Sequence, residues 1–273
     1  MNRFLVIGRV GDRSLHPHWL QGAQPLFDVY LSYFGDEPEK YKDQAQYYEQ
    51  VKGGKWPVLA RIVQENPEIM QKYDAVWMPD DDLLIDAHQI NRMFQFFMAF
   101  ELQLAQPALS EDSYFSHSSL LKPDAQSVLR YVNFIEVMAP IFSKACLAQL
   151  TPTLSQSPSG WGLDNLWPNL LNNPDKTAIA VIDAVTVVHT RPVGGELYKK
   201  NPELSPKRDV EQLQQLYPQL DIDRRSNKNK FRVYSQVSAS ALLSETSSFV
   251  VGKIQRIKAK LRSKNVPKYK SPV

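Results

Sequence analysis

The sequence predicts an α/β protein in which helices cover a layered sheet. Strand-like and helix-like segments alternate over the first two thirds of the chain, which is typical of this class. The segment "AIAVIDAVTVV" (178–188) is a nearly continuous apolar run rich in Val and Ile, as expected for a strand covered on both faces. At 273 residues the chain is long enough for one large domain, or for one domain with an appendage.

The composition indicates a folded protein and excludes several classes. Its hydrophobic content is 43% and its aromatic content 11%, values typical of globular chains. The single cysteine, Cys146, excludes an internal disulfide and is predicted to be a core thiol. No segment approaches the roughly 20 apolar residues of a membrane span, and the N-terminal apolar run is too short for a signal peptide. We therefore expect a cytoplasmic protein.

The first half of the chain gives three strands and two helices. β-Branched and aromatic residues predict strands at 3–10, 26–34 and 73–79. Apolar residues at helical spacing predict helices at 55–73, with Pro57 in the first turn, and near 86–100.

The second half continues the alternation. The predicted segments are a strand at 102–109 broken by Pro107, a strand at 130–140, a helix at 141–150, a Gly- and Pro-rich loop entering a short helix at 155–167, and the strand at 178–188. From Asn201 the pattern weakens to polar connections and at least one helix. We expect a main domain over 1–200 and an extension over 201–273.

Three adjacent carboxylates, Asp80, Asp81 and Asp82, follow the third predicted strand. Like charges this close repel and resist desolvation, so they need a cation or full solvation. Ligands of open α/β sheets bind beyond the carboxyl ends of strands, and carboxylates suit Mg²⁺ or Mn²⁺. Asp82 can bind a metal while Asp80 reaches a ribose hydroxyl or a second metal position. The alternative is an N-capping cluster for the next helix.

Two further polar residues follow strand ends or loops. His189 closes the strand at 178–188, and an imidazole added to carboxylates favours Mn²⁺ over Mg²⁺; the alternative is a structural, hydrogen-bonded histidine. Asp164 follows Gly160, Trp161 and Gly162. The glycines allow close backbone approach, the indole suits a sugar ring, and a carboxylate there can act as general base. The alternative for Asp164 is a turn or helix-cap residue.

Two other positions carry weaker signals. Lys55, in "VKGGKW", can approach a phosphate, although the segment is not a nucleotide-hydrolase phosphate loop. Glu136 is an acid in an apolar predicted strand, where it either faces the site or pairs with a buried base.

Six segments together resemble a known family, the glycosyltransferase-like proteins catalogued as domain-of-unknown-function family seven-hundred-seven. They are "GGKWPVLARIV", "YDAVWMPDDDL", "LQLAQPAL", "FIEVMAPIFSK", "GWGLDNLW" and "IAVIDAVTVVHTRPVGG", which span roughly Lys52 to Gly195. The resemblance implies a GT-A-like α/β/α sandwich with a mixed central sheet, followed here by the predicted helical C-terminal extension.

The resemblance also implies roles for residues of this chain. Asp80 and Asp82 match an Asp-x-Asp motif that holds Mn²⁺ or Mg²⁺ against a nucleotide-diphosphate sugar, with Asp81 beside the donor. His189 matches a histidine that completes the metal site. Asp164 takes the place of the acceptor-activating base, which makes the reaction inverting.

The remaining implied contacts complete this picture. Arg9 and Asp28, on the first two strands, become candidates for base or ribose contacts, and Lys55 for the donor phosphates. Trp161, Gly160, Gly162 and Glu136 become candidates for acceptor binding. The implied activity is metal-dependent sugar transfer to a hydroxyl acceptor, a cell-surface glycan. Acceptor specificity is not inherited, because nothing after Gly195 matches.

The C-terminal segment is strongly basic. From Lys253 to Val273 it has eight basic and no acidic residues, whereas the rest of the chain carries 24 basic and 29 acidic residues, a net charge of −5. The positive charge is therefore a tail rather than a nucleic-acid groove. Val250, Ile254, Ile257 and Leu261 predict an amphipathic helix that lies on anionic lipid at the inner membrane; the alternative is a helix docked on the body.

Two other functions compete with sugar transfer. One is a phosphatase or phosphotransferase with a strand-end Asp as nucleophile; such enzymes usually place it after the first strand, and here two strands and a helix precede it. The other is a non-catalytic module that binds a nucleotide-sugar or glycan at membranes. The intact Asp-x-Asp pattern with His189 speaks against a degenerate site.

Overall fold

The computed structural model describes residues 3–194, 204–222 and 230–241. Its strands are β1 (Phe4–Val10), β2 (Phe27–Tyr33), β3 (Tyr47–Gln50), β4 (Ala75–Trp77), β5 (Leu83–Leu84), β6 (Leu104–Leu109), β7 (Ser127–Val132), β8 (Ile141–Ser143), β9 (Ile179–His189) and β10 (Val233–Ser238). Its helices are α1 (His16–Trp19), α2 (Lys55–Glu65), α3 (Pro67–Met70), α4 (Ala87–Ala99), α5 (Lys144–Leu154), α6 (Leu163–Leu170) and α7 (Pro206–Leu216).

The strands form one mixed sheet in the order β10-β7-β9-β6-β8-β4-β1-β2-β3, with β5 paired to β9. Strands β1 to β4 are parallel to one another, and β6 is parallel to β9. Strands β7 and β8 run antiparallel to their neighbours. The predicted α/β class with a mixed central sheet is confirmed.

Helices cover both faces of the sheet. On one face, Phe4 stacks on Phe94 of α4, and Trp77 of β4 contacts Trp19 of α1. Val76 points to the opposite face from Trp77, because successive strand residues alternate. Phe142 of β8 pairs with Val76 and contacts the ring of Trp167 in α6, which in turn contacts α2. The layers are therefore helix, sheet and helix, as predicted.

Several element boundaries differ from the prediction. Strand β3 was not predicted, and the predicted helix at 55–73 divides at Asn66, because Pro67 lacks an N–H and starts α3. The strand at 102–109 is not broken by Pro107; β6 is continuous and accommodates the proline at a register shift against β9.

The predicted strand at 130–140 is wrong beyond Val132, where β7 ends. Residues 133–140 form a loop, so Glu136 is a loop residue and not part of an apolar strand. The following segment begins as β8 before α5 starts at Lys144, where the Ser143 hydroxyl accepts a hydrogen bond from Cys146 N. Cys146 is buried, as predicted, and burial raises the pKa of its thiol.

The described part of the extension packs on the main sheet. β10 pairs with β7, and Leu213 of α7 is buried in the core. The basic segment from Lys253 and the apolar positions Val250, Ile254, Ile257 and Leu261 lie outside the described residues. Within the described ranges, no helix has both the length and the apolar character needed to cross a bilayer.

A buried histidine makes the stability of this fold depend on pH. His16 is buried, with Nδ1 2.8 Å from Ser14 Oγ and Nε2 3.1 Å from Gln44 Oε1. Burial lowers the pKa of His16 to about 4, although the contact with Gln44 opposes the shift. The unfolded chain therefore takes up this proton at higher pH than the folded protein does.

We expect His16 to lower the free energy of unfolding as the pH falls from about 6.5 to 4, by at most about 3 kcal/mol. Urea unfolding of His16→Gln across this range should show a flatter pH dependence than the native chain. The exposed His18 supplies the control, and His18→Gln should follow the native curve. Parallel curves for His16→Gln and the native protein would contradict the prediction.

Candidate functional site

The candidate site lies where the sheet connections change direction. From the carboxyl end of β1 the chain leads to β2 on one side, whereas from β4 it leads to β5 beside β9 on the other. Such switch points between neighbouring parallel strands are where open α/β sheets bind ligands. Gly11, just after β1, donates its N–H to Asp81 Oδ2 at 2.8 Å across this point.

The acidic loop that follows β4 is held by its own backbone. Asp80 N donates to Met138 O at 2.8 Å, and the Asp81 carbonyl accepts from Leu15 N at 2.7 Å. The Asp82 carbonyl accepts from both Thr190 N (3.1 Å) and Thr190 Oγ1 (2.8 Å). The side chains are therefore presented by a fixed loop.

The helix-capping alternative for this loop is not supported. The N-cap of α4 is Asp86, whose Oδ1 accepts from Gln89 N at 2.8 Å. The carboxylates of Asp80, Asp81 and Asp82 thus have no part in starting that helix.

Asp82 and His189 form the central contact of the site. The pairing of β5 with β9 sets Leu83 opposite His189, which brings His189 Nε2 to 3.3 Å from Asp82 Oδ2. Both residues are 7% exposed. His189 Nδ1 lies 2.8 Å from the carbonyl oxygen of Tyr114. Because a carbonyl only accepts, Nδ1 carries a proton, and in the neutral ring the lone pair is on Nε2.

One oxygen of this pair has no partner. Asp82 Oδ1 is buried and makes no hydrogen bond within the described part of the chain. An unsatisfied buried carboxylate oxygen is costly. An unpartnered oxygen beside an imidazole whose tautomer is fixed by a carbonyl fits a divalent cation.

Charge is concentrated around this pair. Burial raises the pKa of Asp80, with Lys55 opposing the shift and Asp82 adding to it. Burial also raises the pKa of Asp81, opposed by the Gly11 N–H and Arg191. Burial lowers the pKa of His189, but its hydrogen bond to Asp82 and the charge there outweigh this, so the net shift is upward. A bound cation would offset the repulsion among the carboxylates.

Asp80 forms its ion pair with Lys55 and not with His189. Its Oδ1 accepts from Lys55 Nζ at 2.6 Å, and the same ammonium donates to Val137 O and Met138 O at 3.0 and 3.3 Å. In the described ranges, no three His, Cys, Asp or Glu residues are grouped as a metal site. Two of the three predicted ligands therefore meet. Mg²⁺ sites of enzymes that bind phosphates often use one or two carboxylates with substrate oxygens and water.

Arg191 is a site residue that the sequence analysis missed. Its Nη1 donates to Asp81 Oδ1 at 3.0 Å, and its Nη2 donates to the carbonyl of Arg13. Asp81 thus positions a guanidinium beside the acidic loop and also accepts from the Gly11 N–H. The position two residues after His189 was the available signal.

The glycines of the loop before α6 serve close packing. Gly160 has a φ of 82°, and an added Cβ would lie 2.3 Å from Trp56 Nε1. Gly162 has a φ of 88°, and its Cβ would lie 3.0 Å from Leu213 Cδ1 of α7. The Asp209 carboxylate, also on α7, accepts from Ser159 N at 2.8 Å. The glycines were predicted to allow a ligand to approach, but here they accommodate protein side chains.

Lys55 and Trp56 connect this loop to the acidic loop. Lys55 Nζ lies 5.0 Å from the ring centroid of Trp56, against which Gly160 packs. Asp164 is half-buried in the first turn of α6, where its Oδ1 accepts from Asn165 N at 2.9 Å. Trp161 is 42% exposed and offers its ring to solvent.

The other predicted contacts divide between the two edges of the sheet. Arg9 is buried and donates to Ser32, Val51 O and Gly53 O, and burial lowers its pKa to about 10. Its guanidinium therefore joins the chain after β3 to β1 and β2. Glu136 lies two residues before Met138, and its backbone N–H donates to Gln106 Oε1 at 2.6 Å.

Asp28 lies at the opposite edge. It pairs with Leu5 near the start of β1 and accepts from Tyr73 Oη at 2.6 Å. Six residues of extended chain separate Leu5 from Gly11, roughly 20 Å. The structure therefore does not bring Asp28 to the acidic loop.

The chain is similar to solved structures of other proteins, but at low sequence identity. No family model and no curated protein matches the chain, so the family resemblance in the sequence is not confirmed. A structure of S. aureus TarS shares 12% identity with a TM-score of 0.46, over 79% of this chain and 42% of that chain. S. aureus TarS 1–349 in complex with UDP-GlcNAc shares 12% identity with a TM-score of 0.46, over 80% of this chain and 73% of that chain. The complex of S. aureus TarS 1–349 with UDP shares 12% identity with a TM-score of 0.45, over 80% of this chain and 72% of that chain.

These values are too low to assign a family, ligand or activity. The chain also spans less than half the length of the first TarS structure.

Proposed function

We propose that this protein is a metal-dependent glycosyltransferase that moves a sugar from a nucleotide-diphosphate donor to a hydroxyl acceptor on a cell-surface glycan. The observation that carries the proposal is the buried Asp82–His189 pair at the β1–β4 switch point, with Asp82 Oδ1 unpartnered among the described residues. The resemblance of six segments to glycosyltransferase-like proteins selects this activity among those that use such a site.

The donor diphosphate would lie at the carboxyl ends of β1 and β4. Arg191, fixed by Asp81, offers a planar guanidinium to phosphate oxygens. Asp82 Oδ1 and His189 Nε2 would hold Mn²⁺ or Mg²⁺, and Lys55 keeps Asp80 in place. When bound, the ion neutralises the charge that develops on the leaving nucleotide.

The acceptor would approach from the loop that precedes α6. Asp164 takes the proton from the attacking hydroxyl onto its carboxylate, which supports inversion at the sugar carbon. The exposed ring of Trp161 provides a flat face for an acceptor sugar, and Glu136 precedes Val137, whose carbonyl accepts from Lys55 Nζ.

The Lys55–Asp80 ion pair favours a second candidate, a nucleotide-sugar-binding protein without transfer activity. The ammonium lies 2.6 Å from Asp80 and already neutralises part of the acidic loop. Donor binding would then depend on Arg191 and Lys55, and not on a metal.

Thermal-shift measurements with UDP, GDP, CDP and their sugars, each with and without Mn²⁺, test both candidates. Stabilisation by one nucleotide only with Mn²⁺ supports the transferase site, and metal-independent stabilisation supports the second candidate. No shift with any nucleotide contradicts both. Hydrolysis of the stabilising sugar nucleotide should then disappear in Asp164→Asn while binding is retained; an unchanged rate would reject Asp164 as the base.

A further inference from the structure

A cleft lies near the start of β9, at the opposite end of that strand from His189. It has a volume of about 420 Å³ and is formed by the end of α6, the loop before β9, the end of β7 and the start of β10. Ile179, at the start of β9, lines it, whereas His189 ends the same strand. Ten residues of extended chain separate Ile179, at one wall of the cleft, from His189 by roughly 30 Å, whereas Asn165, at another wall, directly follows Asp164 in the chain.

The lining of this cleft is rich in amides and carries positive charge. The amides belong to Asn133, Asn165, Asn169, Asn172 and Asn173. Its two charged side chains are Lys176 and Arg232, and no Asp or Glu belongs to the described lining. Tyr234 adds a ring that is 41% exposed, with Lys176 Nζ 5.7 Å from its centroid.

Some of these amides form hydrogen bonds within the protein, and others are available to bind a ligand. Asn133 Nδ2 donates to Lys230 O at 3.0 Å, and its Oδ1 accepts from Arg232 N at 2.7 Å. Asn173 Oδ1 accepts from Ala178 N at 3.0 Å, which fixes the loop before β9. The Asn173 Nδ2 group and the Asn172 side chain have no hydrogen-bond partner in ranges 3–194, 204–222 and 230–241. Asn173 is half-buried and Asn172 is exposed.

We propose that this cleft binds an acidic saccharide, a sugar that carries a carboxylate or phosphate group. Amides match sugar hydroxyls because they both donate and accept hydrogen bonds. Lys176 and Arg232 pair with the acidic group, and the Tyr234 ring packs against an apolar sugar face. The volume lies within the range of small-ligand sites. A neutral sugar would leave both cations without a counter-charge.

Calorimetric titration tests the proposal with three probes: tetragalacturonate, glucose 6-phosphate and neutral maltotetraose. At least one acidic sugar should bind about tenfold or more tightly than maltotetraose, since charge-assisted hydrogen bonds add to its affinity. The two acidic probes distinguish a carboxylated from a phosphorylated ligand. Inorganic phosphate that binds as tightly as the acidic sugar would overturn the saccharide assignment.

Two double variants with the same change of charge locate the binding. Lys176→Met with Arg232→Met should weaken binding about tenfold or more, whereas Lys42→Met with Lys207→Met, at exposed positions outside the cleft, should not. Thermal unfolding confirms that each variant is folded. Equal affinities in both variants, or no binding of either acidic sugar, would reject the proposal.

The proposed transferase site is tested separately in the same experiment. Asp82→Asn should leave binding of the acidic sugar unchanged, and UDP with Mn²⁺ should not compete with it. Loss of binding in Asp82→Asn, or competition by UDP, would reject a second site. Failure of the cleft proposal can therefore be told apart from failure of the proposed metal and donor site.

Discussion

Asp82→Asn is expected to weaken the Mn²⁺ affinity of the nucleotide-bound protein by about 100-fold or more. Even partners that only orient metal ligands contribute 10- to 100-fold, and Asp82 is proposed as a direct ligand. The amide keeps the shape of the side chain but removes its charge, and it leaves His189 without a carboxylate at 3.3 Å. Titration of Mn²⁺ in the presence of saturating nucleotide measures the loss, and donor turnover should fall with it.

Asp86→Asn is the matched control for this variant. It makes the same chemical change four residues further along, at the N-cap of α4, where Asn caps as well as Asp. Metal affinity should therefore stay at the native value. If Asp82→Asn bound Mn²⁺ as the native chain does, the acidic loop would not be a metal site.

Asp183→Leu is expected to lower the free energy of unfolding by about 3–5 kcal/mol, because it leaves a buried guanidinium without its counter-ion. Asp183 is 0% exposed in β9, and its two oxygens accept from Arg130 Nε and Nη2, both at 2.8 Å. Ser127 Oγ donates to the same carboxylate at 2.6 Å. Urea unfolding followed by circular dichroism measures the change.

The double variant Arg130→Met with Asp183→Leu should recover part of this loss, because an apolar pair in a buried site is often as stable as an ion pair. Recovery should be incomplete, since Ser119 O and Leu121 O lose the donors that Arg130 supplies. Lys42→Met, which breaks the exposed pair with Glu39, should change stability by less than about 1 kcal/mol. A cost for Asp183→Leu as small as that of Lys42→Met would contradict the prediction.

The long, regular elements of this fold could be predicted from the sequence. Strands β1, β2 and β9 are rich in apolar, β-branched and aromatic residues, and α4 has apolar residues at helical spacing. Strands β3, β5 and β8 have only two to four residues each. The sequence does not predict them, because a segment this short is not long enough to display a periodic pattern. Asp183 interrupts an apolar run, but nothing in its surroundings in the sequence identifies Arg130 as its partner.

The sequence could place the candidate site at one edge of the sheet, but it could not show which side chains meet there. Asp82 and His189 each follow or end a strand, which places them at the same edge when the strands are parallel. Which acid meets the imidazole depends on the pairing of β5 with β9, a contact of two residues that local sequence does not show. Asp28 was misplaced although a signal existed: it begins its strand, so it belongs at the amino edge.

The acidic loop is fixed by chain segments that are far apart in sequence. Its contacts include Gly11, Met138 and Thr190, and Arg191 reaches a carbonyl 178 positions earlier. Contacts of such long range form late, because closing large loops costs entropy before the contacts stabilise the chain. Ion binding at the proposed metal site during refolding would thus report the finished topology and not an intermediate, and truncations that remove the segment of Gly11 or that of Thr190 would abolish it.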